Sequence, residues 1–286
     1  MVHKMRKILQ FILISVLAIG CDICDIKDSY ANKDVSENNM ETQQTARVNL
    51  DPYTLNKLNI LLEERSKAND HNIGEMIAFL SKAFLGTPYQ PNMLHGSENT
   101  PEKLIIDFRG LDCFTYLDYV EALRKSTSQT EFINNVIRTR YVEGDVNFLN
   151  RKHFFTDWAY RQYKIANDIT AQISPNAVTT EKYLNKKADG ANYLPGLPIV
   201  KRNITYIPSQ FINEEVINRL QSGDFIGIYT KLAGLDVTHV GFFIMTDNGP
   251  MLRNASSRKE NEKVVDSPFM DYVSKTPGII VLRALQ

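Results

Sequence analysis

Thiols are scarce in this chain. Of 286 residues only Cys21, Cys24 and Cys113 carry one, and the first two lie in or just after an N-terminal apolar segment. The folded part therefore holds one cysteine and forms no disulfide with itself. In an exported protein such a residue is a candidate reactive thiol, and the bland alternative is a small buried hydrophobe. Leu111-Asp112-Cys113 reads as a helix start, with Asp112 as its cap. Free backbone N–H groups and the positive end of the helix dipole would favour the thiolate there and lower the thiol pKa. A thiolate also needs a base that returns a proton to the leaving amine. Outside the N-terminal segment, which contains His3, the histidines are His71, His95, His153 and His239. His239 falls mid-strand on the face of Gly241, where a missing side chain leaves room for an approaching group. His153 reads as structural, and His71 and His95 as exposed. The folded part has no His-x-x-x-His or Cys-x-x-Cys spacing, so neither a metal nor another cofactor is expected.

The elements that must position these residues can be read from periodicity. Asp51-Pro52 is an N-cap followed by proline at the first helical position. Leu55, Leu58, Leu61 and Leu62 continue that helix. A second spans about Ile73 to Leu85, with Ile73, Met76, Ile77, Leu80 and Phe84 on one face, and Gly86-Thr87-Pro88-Tyr89 ends it. Residues 90 to 110 read as a long irregular connection. The helix starting at Asp112 or Cys113 turns Phe114, Leu117, Val120 and Leu123 to a core. Ser128 to Glu131 is a capping box before a helix carrying Phe132, Val136 and Ile137. About 141 to 210 shows no usable periodicity. Strands follow at Phe225 to Tyr229, Val237 to Met245, Pro250 to Ala255 and Gly278 to Arg283, with a hairpin at Asp247-Asn248-Gly249. Helices first and antiparallel strands later mean an α+β fold.

Composition bounds the partners. A hydrophobic fraction of 43% and an aromatic fraction of 10% exclude wholesale disorder. Thirty-three basic residues balance 33 acidic ones, which gives no footprint for nucleic acid. At the N-terminus, His3, Lys4, Arg6 and Lys7 precede a short apolar run, the pattern of a signal peptide. Leu17-Ala18-Ile19-Gly20-Cys21 resembles the lipobox of bacterial lipoproteins, although Ala18 stands where such boxes prefer Leu. The expected organisation is a signal peptide over 1–21 lipidated at Cys21, a polar tether over 22–50, and a hydrolase domain over 51–286. The protein is then exported, periplasmic or on the cell surface, with the membrane as partner through its lipid anchor.

Four motifs occur in order: Gly86-Thr87-Pro88-Tyr89, Leu111-Asp112-Cys113-Phe114-Thr115, Gly223-Asp224-Phe225, and Thr238-His239-Val240-Gly241-Phe242. The set resembles the NlpC-type papain-like cysteine hydrolases of bacterial peptidoglycan. It is closest to their muramoyl-L-alanine amidase-like branch, where the cysteine is followed by Val/Phe-Thr. Segments around His153 to Trp158 and Leu252 to Ser257 extend the likeness over about residues 73 to 283. The resemblance implies a papain-like core, its nucleophile helix packed on an antiparallel sheet or open barrel, with family-specific insertions. It implies Cys113 as nucleophile, His239 as general base and acid, and Asn254 as the residue orienting the imidazole. Hairpin pairing through Asn248-Gly249 would instead set Ser256 diagonal to His239. Tyr89, Asp112, Asp157, Trp158 and Ser256 are the candidate substrate-side residues, and the Cys113 backbone N–H would supply half of an oxyanion hole. Trp158 is a sugar-stacking platform or a core aromatic. The implied substrates are peptidoglycan fragments (muropeptides), cut between muramic acid and L-Ala, including anhydro-muropeptides. The rivals are an endopeptidase cutting between D-Glu and the diamino acid, and a wall-binding module with an inert thiol.

Overall fold

Asp51 starts the first helix, α1 (Pro52–Lys67). Its carboxylate accepts from the N–H groups of Tyr53 and Thr54, and Pro52 stands where no N–H is needed. The computed structural model describes Val48, residues 50–68 and residues 70–286. The expected signal peptide, Cys21 and all of the tether except Val48 and Leu50 lie outside the described residues. Asn72 and Glu75 close a reciprocal capping box on α2 (Ile73–Lys82). That helix ends three residues before the expected Leu85, and Phe84 is buried from the turn that follows. The connection expected to be irregular contains a short antiparallel ribbon, β1 (His95–Ser97) with β2 (Thr100–Lys103). Next come α3 (Cys113–Arg124) and α4 (Gln129–Arg140). Ser128 caps α4 as expected, but the Glu131 carboxylate binds the N–H and hydroxyl of Thr127 and leaves the box half made.

The unreadable middle contains α5 (Asp157–Tyr160), β3 (Ala166–Asp168), α6 (Thr170–Ile173) and a long antiparallel pair, β4 (Val178–Leu184) with β5 (Val200–Pro208). After α7 (Glu214–Arg219) come β6 (Phe225–Tyr229), β7 (Val237–Thr246), β8 (Gly249–Ser256) and β9 (Lys263–Pro268). They are followed by α8 (Phe269–Val273) and β10 (Gly278–Ala284). The spatial order is β4-β5-β10-β6-β7-β8-β9, with β3 also on β10, and every pairing is antiparallel. The fold is α+β, as expected.

The sheet is buried on both faces, and alternation along the strands assigns them. Phe225, Phe242, Ile280 and Leu282 join the core under α1 to α4, whereas Ile226, Phe243, Ile279 and Val281 join a second core with Val216 and Phe269. α3 lies against β7 and β8. That packing carries the start of α3, and Cys113 with it, to the strand that holds His239.

Candidate active site

Asp112 fixes the start of α3. Its Oδ1 accepts from the N–H groups of Phe114 and Thr115 and from the Thr115 hydroxyl, while Thr115 Oγ1 accepts from the Asp112 N–H. Cys113 is the first helical residue and a free, half-buried thiol. The N–H of Val240, one residue past His239, donates to its sulfur, so the helix start and β7 meet at the thiol. Burial pushes the thiol pKa up to about 12, with the Asp112 carboxylate adding to the rise; N–H groups of Val240, Cys113 and Phe114 oppose it. The expectation of a lowered pKa is thereby corrected. The helix-start donors are present, but desolvation and an adjacent carboxylate outweigh them.

His239 is likewise held neutral. Burial lowers its pKa, the Asn254 hydrogen bond opposes that, and Arg258 adds to it. The Asn254 side chain is fully buried. Its Nδ2 donates to the Leu252 carbonyl (2.9 Å) and to Ser267 Oγ (3.2 Å). Both amide hydrogens are therefore spent, and Oδ1 is left for His239 Nε2 at 2.9 Å. The imidazole must donate from Nε2, which leaves the lone pair on Nδ1.

The hairpin explains why Asn254, rather than Ser256, reaches the ring. β7 and β8 pair as Thr246↔Gly249 through Phe242↔Arg253, so the tip is Asp247-Asn248. Gly249 takes φ 94 at the head of β8, and the Thr246 hydroxyl donates to its carbonyl. The tip sits one residue earlier than Asn248-Gly249 pairing would set it. Extending the observed register puts Ser256 opposite His239 and Asn254 diagonal to it. The ladder stops at Phe242↔Arg253, and Gly241 lets the chains close there. A Cβ at Gly241 would lie 2.8 Å from the Arg253 carbonyl oxygen and 3.0 Å from Asn254 Cβ. Ser256 instead accepts from the Arg258 N–H and from Asn261 Nδ2, and so shapes the next loop.

The structure thus brings a half-buried helix-start thiol to the strand whose histidine is bound by Asn254. The profile of the AmiA-like, N-acetylmuramoyl-L-alanine amidase-like family matches residues 79–279, a span that includes all three residues. The chain belongs to the N-acetylmuramoyl-L-alanine amidase-like family. A solved N-acetylmuramoyl-L-alanine amidase from Bacteroides uniformis is 25% identical, with a TM-score of 0.64 over 76% of this chain and 100% of that one. A Legionella pneumophila protein, 24% identical with a TM-score of 0.67 over 80% and 94% of the two chains, shares the fold. No curated protein matches the chain. Membership supports a cell-wall, amidase-like hydrolase function.

The other expected residues of this amidase-like domain divide. Tyr89 is half-buried, and its hydroxyl pKa is raised by burial, then by Cys113 and Asp112. Its turn is held from both sides: the Tyr89 N–H donates to the Glu262 carbonyl, and the Leu111 N–H to that of Pro88. The Gly86-to-Tyr89 motif thus ties the segment leading to Cys113 to the head of β9. Asp112, besides capping α3, lines a cavity of about 510 Å³ with Asn92, Glu98, Phe148, Arg151 and Leu194. Asp157 and Trp158 lie away from solvent. Trp158 is fully buried, edge-on to Phe114 and Phe225, and offers no open face for a sugar; it is the core aromatic of the two readings. Asp157 binds Arg202 at 2.8 Å and accepts from the Phe154 N–H. His153 is structural: its Nε2 lies 2.7 Å from the Phe148 carbonyl oxygen. His71 and His95 are exposed. Among the described residues no cluster of His, Cys, Asp or Glu could hold a metal.

Two residues absent from the sequence reading also belong here. The Tyr272 ring stacks on the His239 ring, centroids 6.1 Å apart at 21°, and Arg258 lies 4.1 Å over the Tyr272 ring. Tyr272 stands on a five-residue helix too short for periodicity to detect.

Proposed function

We propose that this chain hydrolyses an amide bond of peptidoglycan fragments by acyl transfer through Cys113, with the N-acetylmuramoyl–L-alanine bond as its target. The observation that carries the reading is the Asn254 amide, spent on Leu252 and Ser267 so that its oxygen must fix the His239 tautomer. With Nδ1 unprotonated, His239 takes the Cys113 proton as sulfur attacks the carbonyl carbon. The Cys113 backbone N–H, at the helix start, turns to the oxyanion as the sulfur is consumed in the new bond. The carbon–nitrogen bond then breaks and the imidazolium gives its proton to the departing amine. Water, deprotonated by His239, attacks the thioester; the carbon–sulfur bond breaks and the thiol recovers its proton. This is a papain-like, NlpC-type site in its roles: helix-start cysteine, strand histidine, asparagine behind it.

The reading extends to anhydro-muropeptides and to an exported enzyme lipidated at Cys21, placed where wall fragments are released. Residues 141–210 contribute Phe148, Arg151, Leu194 and Pro195 to the cavity beside Asp112, a position from which they select substrate. Digestion of defined muropeptides followed by mass analysis tests the bond. Free muramic-acid saccharide with an intact stem peptide is the expected product pair. A stem cut between D-Glu and the diamino acid would establish the endopeptidase instead, and no cleavage would leave a wall-binding module.

A further inference from the structure

Two residues that touch Asn254 and His239 also line a cavity. Ser267 accepts from Asn254 Nδ2, and Tyr272 stacks on His239. Both face a space of about 300 Å³ whose wall includes Arg258, Asp266, Asp271 and Lys275.

Arg258 differs from the arginines around it. Arg253 is bidentate to Asp266, and Arg283 to Asp224; Arg202 binds Asp157. Arg258 is exposed, has no carboxylate partner among the described residues, and lies over the Tyr272 ring with a side-chain hydrogen bond to it. A guanidinium has five N–H donors, so after the bond to Tyr272 it still has in-plane N–H groups with which to bind a carboxylate. Asp266 is neutralised by Arg253, so Arg258 and Lys275 leave the wall with an excess of positive charge over Asp271. The loop is held in place. Ser256 accepts from the Arg258 N–H, and the Glu262 carbonyl accepts from the Tyr89 N–H.

We propose that this cavity is a subsite for a free carboxylate of the substrate's peptide, with Arg258 as the residue that takes it. The proposal rests on the amidase reading. In a muropeptide the lactyl carboxyl is consumed in the scissile amide, so the free carboxylates lie on the stem peptide, the leaving side of the bond. A cation beside His239 thus reads the part of the substrate that departs with the amine, and admits stems by their charge.

Calorimetric titration of the stem tripeptide L-Ala-D-Glu-diaminopimelate, and of its counterpart with every carboxylate amidated, tests the subsite. The proteins are wild type, Arg258→Gln and Arg258→Lys. The tripeptide is expected to bind wild type, with affinity falling by roughly 10-fold or more on amidation and by a similar factor in Arg258→Gln. The amidated peptide binds both proteins alike, and Arg258→Lys recovers part of the loss. Equal affinity of wild type and Arg258→Gln for the tripeptide, equal affinity of wild type for both peptides, or no binding to wild type overturns the proposal. Digestion of the matching muropeptide by wild type separates it from the parent reading. An uncut muropeptide with Arg258-dependent tripeptide binding removes the amidase and keeps the subsite; cleavage with Arg258-independent binding does the reverse.

Discussion

Burial sets the chemistry of Cys113 and His239 in the same direction, toward the uncharged form. It raises the thiol pKa to about 12 and lowers that of the imidazole, and Asp112 and Arg258 reinforce the two shifts. In the proposed reaction the site rests as a thiol beside a neutral imidazole, and the proton moves as the carbonyl is attacked. Iodoacetamide should then alkylate Cys113 more slowly at pH 7 than it alkylates a free thiol of pKa about 8.5, with the rate rising as the pH is raised. Alkylation at or above the free-thiol rate at pH 7 would show a pre-formed thiolate. Cys113→Ala should abolish turnover and leave the melting temperature close to wild type. The Arg258 charge disfavours the imidazolium, so in Arg258→Gln the His239 pKa rises and the acidic limb of the kcat/KM profile moves to higher pH. An unmoved limb would show that Arg258 does not tune His239. Cys113 and His239 stood out as candidates because thiols and histidines are scarce and because the ordered motifs included both. Scarcity misled at Trp158: one tryptophan looks special in sequence, but nothing in its type says whether its face is open, and here Phe114 and Phe225 cover it.

The β7–β8 hairpin decides which residue stands behind the histidine. Its tip lies one residue before the one its sequence suggests, because Gly249 opens the return strand at φ 94 instead of closing the turn. A choice between two adjacent turn registers is beyond sequence pattern alone, since Asp247-Asn248-Gly249 suits both; Asn254 and Ser256 stand two residues apart on one face of β8, so alternation does not separate them. The closure also depends on Gly241. In Gly241→Ala the new Cβ must push back the Arg253 carbonyl and Asn254 Cβ, which carries Asn254 away from His239. A displacement of a few tenths of an ångström to 1 Å at a positioning group costs up to about 10²-fold in rate. Gly241→Ala is therefore expected to lower kcat by roughly one to two orders of magnitude, while the melting temperature falls by only a few degrees. A kcat equal to wild type would show that the close approach at Gly241 does not set the Asn254–His239 contact.

At the scale of the whole molecule, helices cover one face of the sheet and the late short helices cover the other; the strands β6, β7 and β10 were legible as β-prone segments, but the burial of both faces of the sheet was not. The middle of the chain was not legible, because it buries polar groups against distant partners. Arg140 binds Asp118, the Lys152 ammonium donates to the Arg138 carbonyl, Arg202 meets Asp157, and the Thr156 N–H and hydroxyl donate to Asp236. Charged residues read as exposed until their partners are known. His153 belongs to this buried middle, and it makes the stability of the fold depend on pH. Burial holds its folded pKa down at about 4, against about 6.5 in an unfolded chain. Between those values the unfolded chain binds a proton that the folded chain refuses. The stability tied to neutral His153 is thus complete above about pH 6.5 and is lost as the pH falls toward 4. From pH 7.5 to pH 5 that loss is on the order of 2 kcal/mol. Urea unfolding at the two values should show wild type losing more stability than His153→Gln, whose side chain does not titrate, and the difference between the two losses isolates this residue from every other titrating group. Equal losses in the two proteins would place the His153 ring in contact with solvent that can hydrate its charge.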